Sequence, residues 1–174
     1  MWNTAAEAGL VLGLISAAYM FLTQWIASAP SAVSVILSMI LWAGKFGGCI
    51  WMMVFYMKRH TANHPEITNK DTFNLGMATA LLSAVVYSAA AFANVAYISG
   101  DAVAEQLRIS MQQMSSMMDS NSIAMMETFM QKLPQITFFS NLIYCTAFGT
   151  VLSFILSRNI PSRDPFANNT PDQQ

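Results

Sequence analysis

The chain is predicted to be all-α, an integral membrane four-helix bundle with an amphipathic helical hairpin between its third and fourth spans. Three observations lead there. Of 174 residues, 55% are hydrophobic and only 10% are charged, with a mean hydropathy of +0.43. Soluble domains carry about 25% charged residues, and a soluble fold of this size could not hide so much apolar surface. Four stretches reach the roughly 20 mostly apolar residues that a helix needs to cross a bilayer, and small residues recur along them at every fourth position. A single transmembrane domain, 1–160, followed by a polar tail, 161–174, is the expected organisation.

The first span runs from about Ala5 to Ala27. Trp2 and Trp25 bracket it, about 34 Å apart at helical rise, which suits two interfacial aromatic belts. Ala27-Ser28-Ala29 resembles a signal-peptide cleavage site. The opening M-W-N-T-A-A-E has no positive residue, however, and Pro30 would directly follow the cut, so the segment is read as a retained helix. The second span runs from about Ser31 to Met57 and the third from about Thr72 to Ile98. Next comes D-A-V-A-E-Q-L-R-I-S-M-Q-Q-M-S-S-M-M, 101–118, with Val103, Leu107, Met111, Met114 and Met118 at helical spacing. S-I-A-M-M-E-T-F-M-Q-K-L, 122–133, repeats the habit with Ile123, Met126, Phe129 and Met130. D-S-N-S between them offers N-caps. These are two short amphipathic helices with Met-rich apolar faces. Pro134 suits the first turn of the fourth span, which runs from about Gln135 to Ser157. The tail is polar and is expected to be loose.

Orientation follows from the short loops. Lys58, Arg59 and Lys70 lie between the second and third spans, and Arg158 and Arg163 follow the fourth. Positive loops stay inside, which puts both termini in the cytoplasm and the hairpin outside. The small-residue stripes are Ala5, Gly9, Gly13 and Ala17; Gly76, Ala80, Ala84 and Ser88; and Cys145, Gly149, Ser153 and Ser157. A shorter pair, Gly44 and Gly48, lies in the second span. Such stripes let backbones approach closely, either within one bundle or between copies.

Lys45 is the only charge between Ser31 and Met57. It lies about 20 Å along the helix from Lys58, beyond the middle of a hydrocarbon core about 30 Å thick. A lysine there costs roughly 3 kcal/mol. Matching depth across the spans brings Tyr19, Tyr87, Asn141 and Tyr144 near its level, and no carboxylate. The functional reading is a polar site for a lipid headgroup, a small anion or protons. The structural one is a lysine held by hydroxyls or reaching for the outer interface.

Met111, Met114, Met118, Met126, Phe129 and Met130 form a candidate surface for lipid or a protein partner. Thioethers also favour Cu(I), but no histidine accompanies them and no metal is expected. His60 and His64 have the i, i+4 spacing of a helical metal pair. Pro65 biases His64 away from helix, so both are read as part of a solvated loop. Asn94 and Asn141 are read as partners in interhelical hydrogen bonds, and Cys49 and Cys145 as small buried apolar residues. No nucleophile with a base, no phosphate loop and no paired carboxylates appear, so no enzyme and no cofactor are expected. The net charge of −1 offers no general field for nucleic acid.

Three stretches resemble a known family: E-A-G-L-V-L-G-L-I-S in the first helix, K-R-H-T-A-N-H-P-E-I-T-N-K-D-T-F-N-L-G entering the third, and F-F-S-N-L-I-Y-C-T-A-F-G-T-V-L-S-F-I-L-S-R closing the fourth, followed by D-P-F. Across residues 5 to 166 the chain resembles the Bacteroidota family catalogued as domain of unknown function 4199. The resemblance implies four spans and a bacterial inner-membrane location, and no activity. The expected function is non-enzymatic, acting through lipid, a membrane-protein partner or a second copy. The alternative is a transport or channel subunit with Lys45 in a polar cavity.

Overall fold

The computed structural model, which describes residues 2–27, 31–64, 68–114, 125 and 128–160, is all-helical. Its helices are α1 (Trp2–Ala27), α2 (Ser31–Asn63), α3 (Asn69–Tyr97), α4 (Gly100–Met114) and α5 (Leu133–Asn159). α1, α2, α3 and α5 are long and apolar enough to cross a membrane.

Local chemistry sets their ends. α2 continues past its apolar stretch through Lys58 and Arg59 and stops at Asn63, just before His64-Pro65, where the residue preceding a proline leaves helical geometry. The solvated loop expected over 60–64 is therefore mostly helix. α3 begins with a capping box: the Asp71 backbone N–H donates to Thr68 Oγ1 at 3.4 Å, and the Thr68 backbone N–H donates to Asp71 Oδ2 at 3.2 Å. Two otherwise orphaned donors are met reciprocally. Its other end turns on Asn94, whose carbonyl accepts from the N–H groups of Ile98 at 2.9 Å and Ser99 at 2.8 Å. The Asn94 side chain donates to Ser99 Oγ at 3.2 Å. Asn141 donates to the Thr137 carbonyl of its own helix at 2.9 Å. Both side-chain amides thus donate locally, where interhelical bonds were expected. A nearby carbonyl or hydroxyl satisfies such a donor without ordering a second helix.

Packing is inverted relative to a soluble protein. Small and hydroxyl residues fill the interior, among them Ala5, Ala8, Ala80, Ala84, Thr79, Ser88 and Ser153, while Leu14, Phe21, Ile36, Ile40, Leu81, Ile143 and Val151 are exposed. Helices in lipid gain little by hiding apolar side chains from one another, and close backbone contact takes over. The glycines show how close. A Cβ added at Gly9 would lie 2.6 Å from Leu82 Cβ, one at Gly13 2.6 Å from Val86 Cβ, and one at Gly76 2.6 Å from Ser153 Oγ. One at Gly149 would collide with Ala80 Cβ.

These contacts make α3 the centre. It packs most extensively on α5 and next on α1; α2 rests mainly on α1 and touches α3 lightly. The spatial order is α2–α1–α3–α5, and α2 and α5 do not form a closely packed pair. Around Gly44, Gly47 and Gly48 of α2 there is open space, so the small pair of the second span packs against none of the described residues. α4 leaves the end of α3 and covers most of the first expected outer helix. Residues 115–124 and 126–127, which hold part of the second, and the tail 161–174 lie outside the described residues.

Replacing Gly149 with Val is expected to lower unfolding stability in detergent by about 1–3 kcal/mol through overpacking. Gly47→Val, facing open space, is expected to stay within about 0.5 kcal/mol of the parent. Denaturant titration of helicity measures both.

Candidate functional site

Lys45 projects from α2 toward α1 and α3. Its Nζ lies 4.8 Å from the ring centroid of Tyr19 on α1 and 5.0 Å from that of Tyr87 on α3. Aromatic faces carry partial negative charge and attract an ammonium within about 6 Å, by about 2 kcal/mol or more when it is desolvated. Two rings therefore stabilise the ammonium. They leave the three N–H donors of the ammonium without the oxygen acceptors that normally satisfy them. Among the described residues Lys45 has neither a carboxylate partner nor an oxygen acceptor.

Beside the ammonium is a cavity of about 140 Å³ walled by four helices. α2 contributes Lys45, Phe46, Cys49, Ile50 and Met53; α1 contributes Leu12 and Ser16. α3 supplies Ala80, Ser83 and Tyr87, and α5 supplies Tyr144, Cys145, Phe148, Gly149 and Leu152. Lys45, Tyr87 and Tyr144 stand at one end. At the other, Leu12 and Met53 belong to a buried apolar cluster with Met57 and Ile160, against which Leu152 packs. That cluster borders the cavity on the side of the α2 C-terminus.

Between α2 and α5 the wall is side chain alone. Phe46 and Phe148 meet edge to face with centroids 5.1 Å apart. Trp42 leans on Phe46 at 5.0 Å, and Tyr144 stacks on Phe148 at 6.5 Å. The seam is aromatic, and no packed backbone stands behind it.

The depth-matched residues thus divide. Tyr19 and Tyr87 lie under the ammonium. Tyr144 reaches the cavity wall but is 69% exposed. Asn141 is absent from the lining, its amide turned to its own helix. Ser16, Ser83, Phe46 and Phe148 were not foreseen as part of the site. Helical spacing places Ser83 one turn before Tyr87 and Ser16 three residues before Tyr19, so each shares a face with its tyrosine. Cys49 and Cys145, expected as buried apolar residues, are half-buried and line the cavity. Cys49 Sγ lies 4.0 Å from Ser16 Oγ.

The other candidates stand apart from this cavity. Met111 and Met114 fall on α4, with side chains outside the described set, as are Met118 and Met126 entirely. Phe129 is exposed and Met130 half-buried in the helical turn before α5. His60 is 5% exposed, its ring centroid 4.9 Å from that of His64, and its Nε2 has no hydrogen-bond partner among the described residues. It is buried because α2 persists through this turn. Among the described residues no group of three or more His, Cys, Asp or Glu side chains is placed to hold a metal ion.

A double-mutant cycle with Lys45→Met and Tyr87→Leu is expected to show a coupling of about 1 kcal/mol, read as unfolding stability in detergent. Additive single effects would mean that the ring does not stabilise the ammonium.

A family model described as "Protein of unknown function (DUF4199)" matches residues 7–158, and the chain belongs to that family. No curated protein and no solved structure matches it.

Proposed function

We propose that this member of the DUF4199 family is a non-enzymatic, multi-pass protein of the bacterial inner membrane that binds an anionic group at Lys45. One observation carries the reading: an ammonium inside a candidate span, held by two rings, facing a cavity, without an oxygen acceptor among the described residues. A donor without an acceptor in apolar surroundings costs free energy, and an anion in the cavity would supply both charge and acceptor to this half-buried ammonium. Leu12 and Met53, buried with Met57 and Ile160, make one end of the cavity apolar, which favours binding over a continuous polar conduction path. Lipid is then the first partner of the chain. The Met-rich outer segment, with Phe129 and Met130 at its end, is a surface for lipid or for another membrane protein.

The proposed topology places both termini and the loop between α2 and α3 in the cytoplasm and α4 outside, following Lys58, Arg59, Lys70 and Arg158. Reporters active only in the cytoplasm should light up when fused to either terminus. Signal from a fusion in the α3–α5 connection instead would invert the assignment.

Native mass spectrometry of the chain, extracted gently from its own membrane, tests the binding. The expected result is an anionic small molecule or lipid on the parent that Lys45→Met, still folded, no longer retains. A bare parent, or identical adducts on both forms, overturns it.

A further inference from the structure

We infer that the ligand of the Lys45 cavity is a single-chain carboxylate amphiphile, a fatty acid, taken in sideways between α2 and α5. The inference rests on the anion reading above and specifies the anion.

The cavity has a head and a tail. From Lys45 to Met53 it follows α2 for eight residues, about 12 Å at helical rise, and from Tyr144 to Leu152 it follows α5 for the same length. Lys45, Tyr87 and Tyr144 mark the polar end. Ile50, Met53, Leu12 and Leu152 line the far end, where the walls carry no charged group. A small aqueous anion would use the first half and leave the second empty. An alkyl chain fills it, with apolar contacts that match those it makes among lipid tails.

Charge limits the head. A single cation faces the cavity, so a single negative charge is balanced there. A doubly charged phosphate monoester would leave one charge uncompensated in an apolar cavity, at heavy cost. A carboxylate carries one charge and accepts in the plane of its two oxygens, matching the donors that Lys45 leaves unmet.

Volume sets the route. An apolar cavity near 150 Å³ accommodates a molecule of about benzene's bulk, so about 140 Å³ holds a carboxylate and the first carbons of a chain. The rest of a long chain has to leave the protein. The α2–α5 seam permits this, because beside the polar end it is crossed by the Phe46–Phe148 ring contact with no closely packed backbones behind it, the Met53–Met57 cluster joining the two helices only farther along. Outside the seam, the exposed apolar side chains of Trp42, Phe148 and Val151 would border the emerging chain as lipid tails do. In the proposed topology the head lies just beyond the mid-plane and the cavity runs from it toward the cytoplasmic side.

The test uses the full chain, delipidated in detergent, with palmitate, hexadecanol, acetate and inorganic phosphate as probes. Binding is read by native mass spectrometry and by protection of Lys45 from an amine-acylating reagent. The expected result is one palmitate per chain, bound at least tenfold more tightly than hexadecanol or either small anion. Lys45→Met should weaken palmitate at least tenfold. Ile50→Trp, which fills the apolar half, should weaken palmitate while leaving acetate protection of Lys45 unchanged. If Lys45→Met fails to fold, acylation of Lys45 in the folded parent replaces it and should abolish palmitate binding.

Acetate or phosphate binding as tightly as palmitate overturns the amphiphile and leaves the anion reading standing. So does palmitate binding that Ile50→Trp does not change. Hexadecanol binding as tightly as palmitate, or palmitate binding indifferent to loss of the Lys45 charge, overturns both.

Discussion

Helices surrounded by apolar solvent cannot be held together by hiding apolar side chains, because the surroundings are equally apolar. What remains is the density of contact between backbones, and in this protein that contact converges on α3. One side of α3 receives Gly9 and Gly13 of α1; the other presents Gly76 and Ala80 to Ser153 and Gly149 of α5. The remaining features inherit their positions from this three-helix core. Tyr87 stands one turn beyond Ser83, which itself lies against Gly9 and Gly13, so the ring beneath Lys45 is placed by close helix packing. Tyr19 is carried by the helix on the other side of that contact.

α2 obeys a different logic. It is the helix that brings the charge, yet none of its most apolar stretch is buried inside the protein, and the space around its three glycines is open. It is held by α1, by the Met53–Met57 cluster near its C-terminal end and by aromatic contacts along one seam. A rigid core presenting two aromatic faces, paired with a lightly attached helix presenting a cation, combines a fixed recognition surface with a wall that little holds in place. Such an arrangement suits the laterally entered cleft proposed above.

Much of this was legible in the sequence. Hydropathy alone marks the four long helices, since about 20 apolar residues have few other uses. The stripes on α1, α3 and α5 announce close packing because Gly, Ala and Ser at every fourth position lie on one face. Counting residues from the helix ends brought Tyr19 and Tyr87 to the depth of Lys45, where they are found. The same count failed for Asn141, because depth fixes a level and not a direction around the helix. Its amide found a carbonyl one turn away. Asn94 failed for a related reason: a polar side chain near a helix end can close the turn itself. The Gly44 and Gly48 pair reads like the other stripes, but only the three-dimensional arrangement shows that α2 stands at the edge. His60 is read as solvated loop because Pro65 biases His64 away from helix, but that bias acts only on the adjoining residue and the helix runs through His60 to Asn63.

The spatial order α2–α1–α3–α5 also differs from the order in which a ribosome delivers these helices. α1 and α2 emerge together, but the glycines of α1 fit α3, which comes later, and α2 is left at the margin when α3 arrives. α3 in turn presents Gly76 and Ala80 to a partner separated from it by residues 98–132, the longest connection in the chain. During synthesis, then, the two faces that make the core are satisfied at different times. The second stays uncovered while the intervening segment is made. The smoothest surfaces of the finished protein are also its most adhesive ones during biogenesis, when a neighbouring nascent helix with a small-residue face would fit them as well as α5 does.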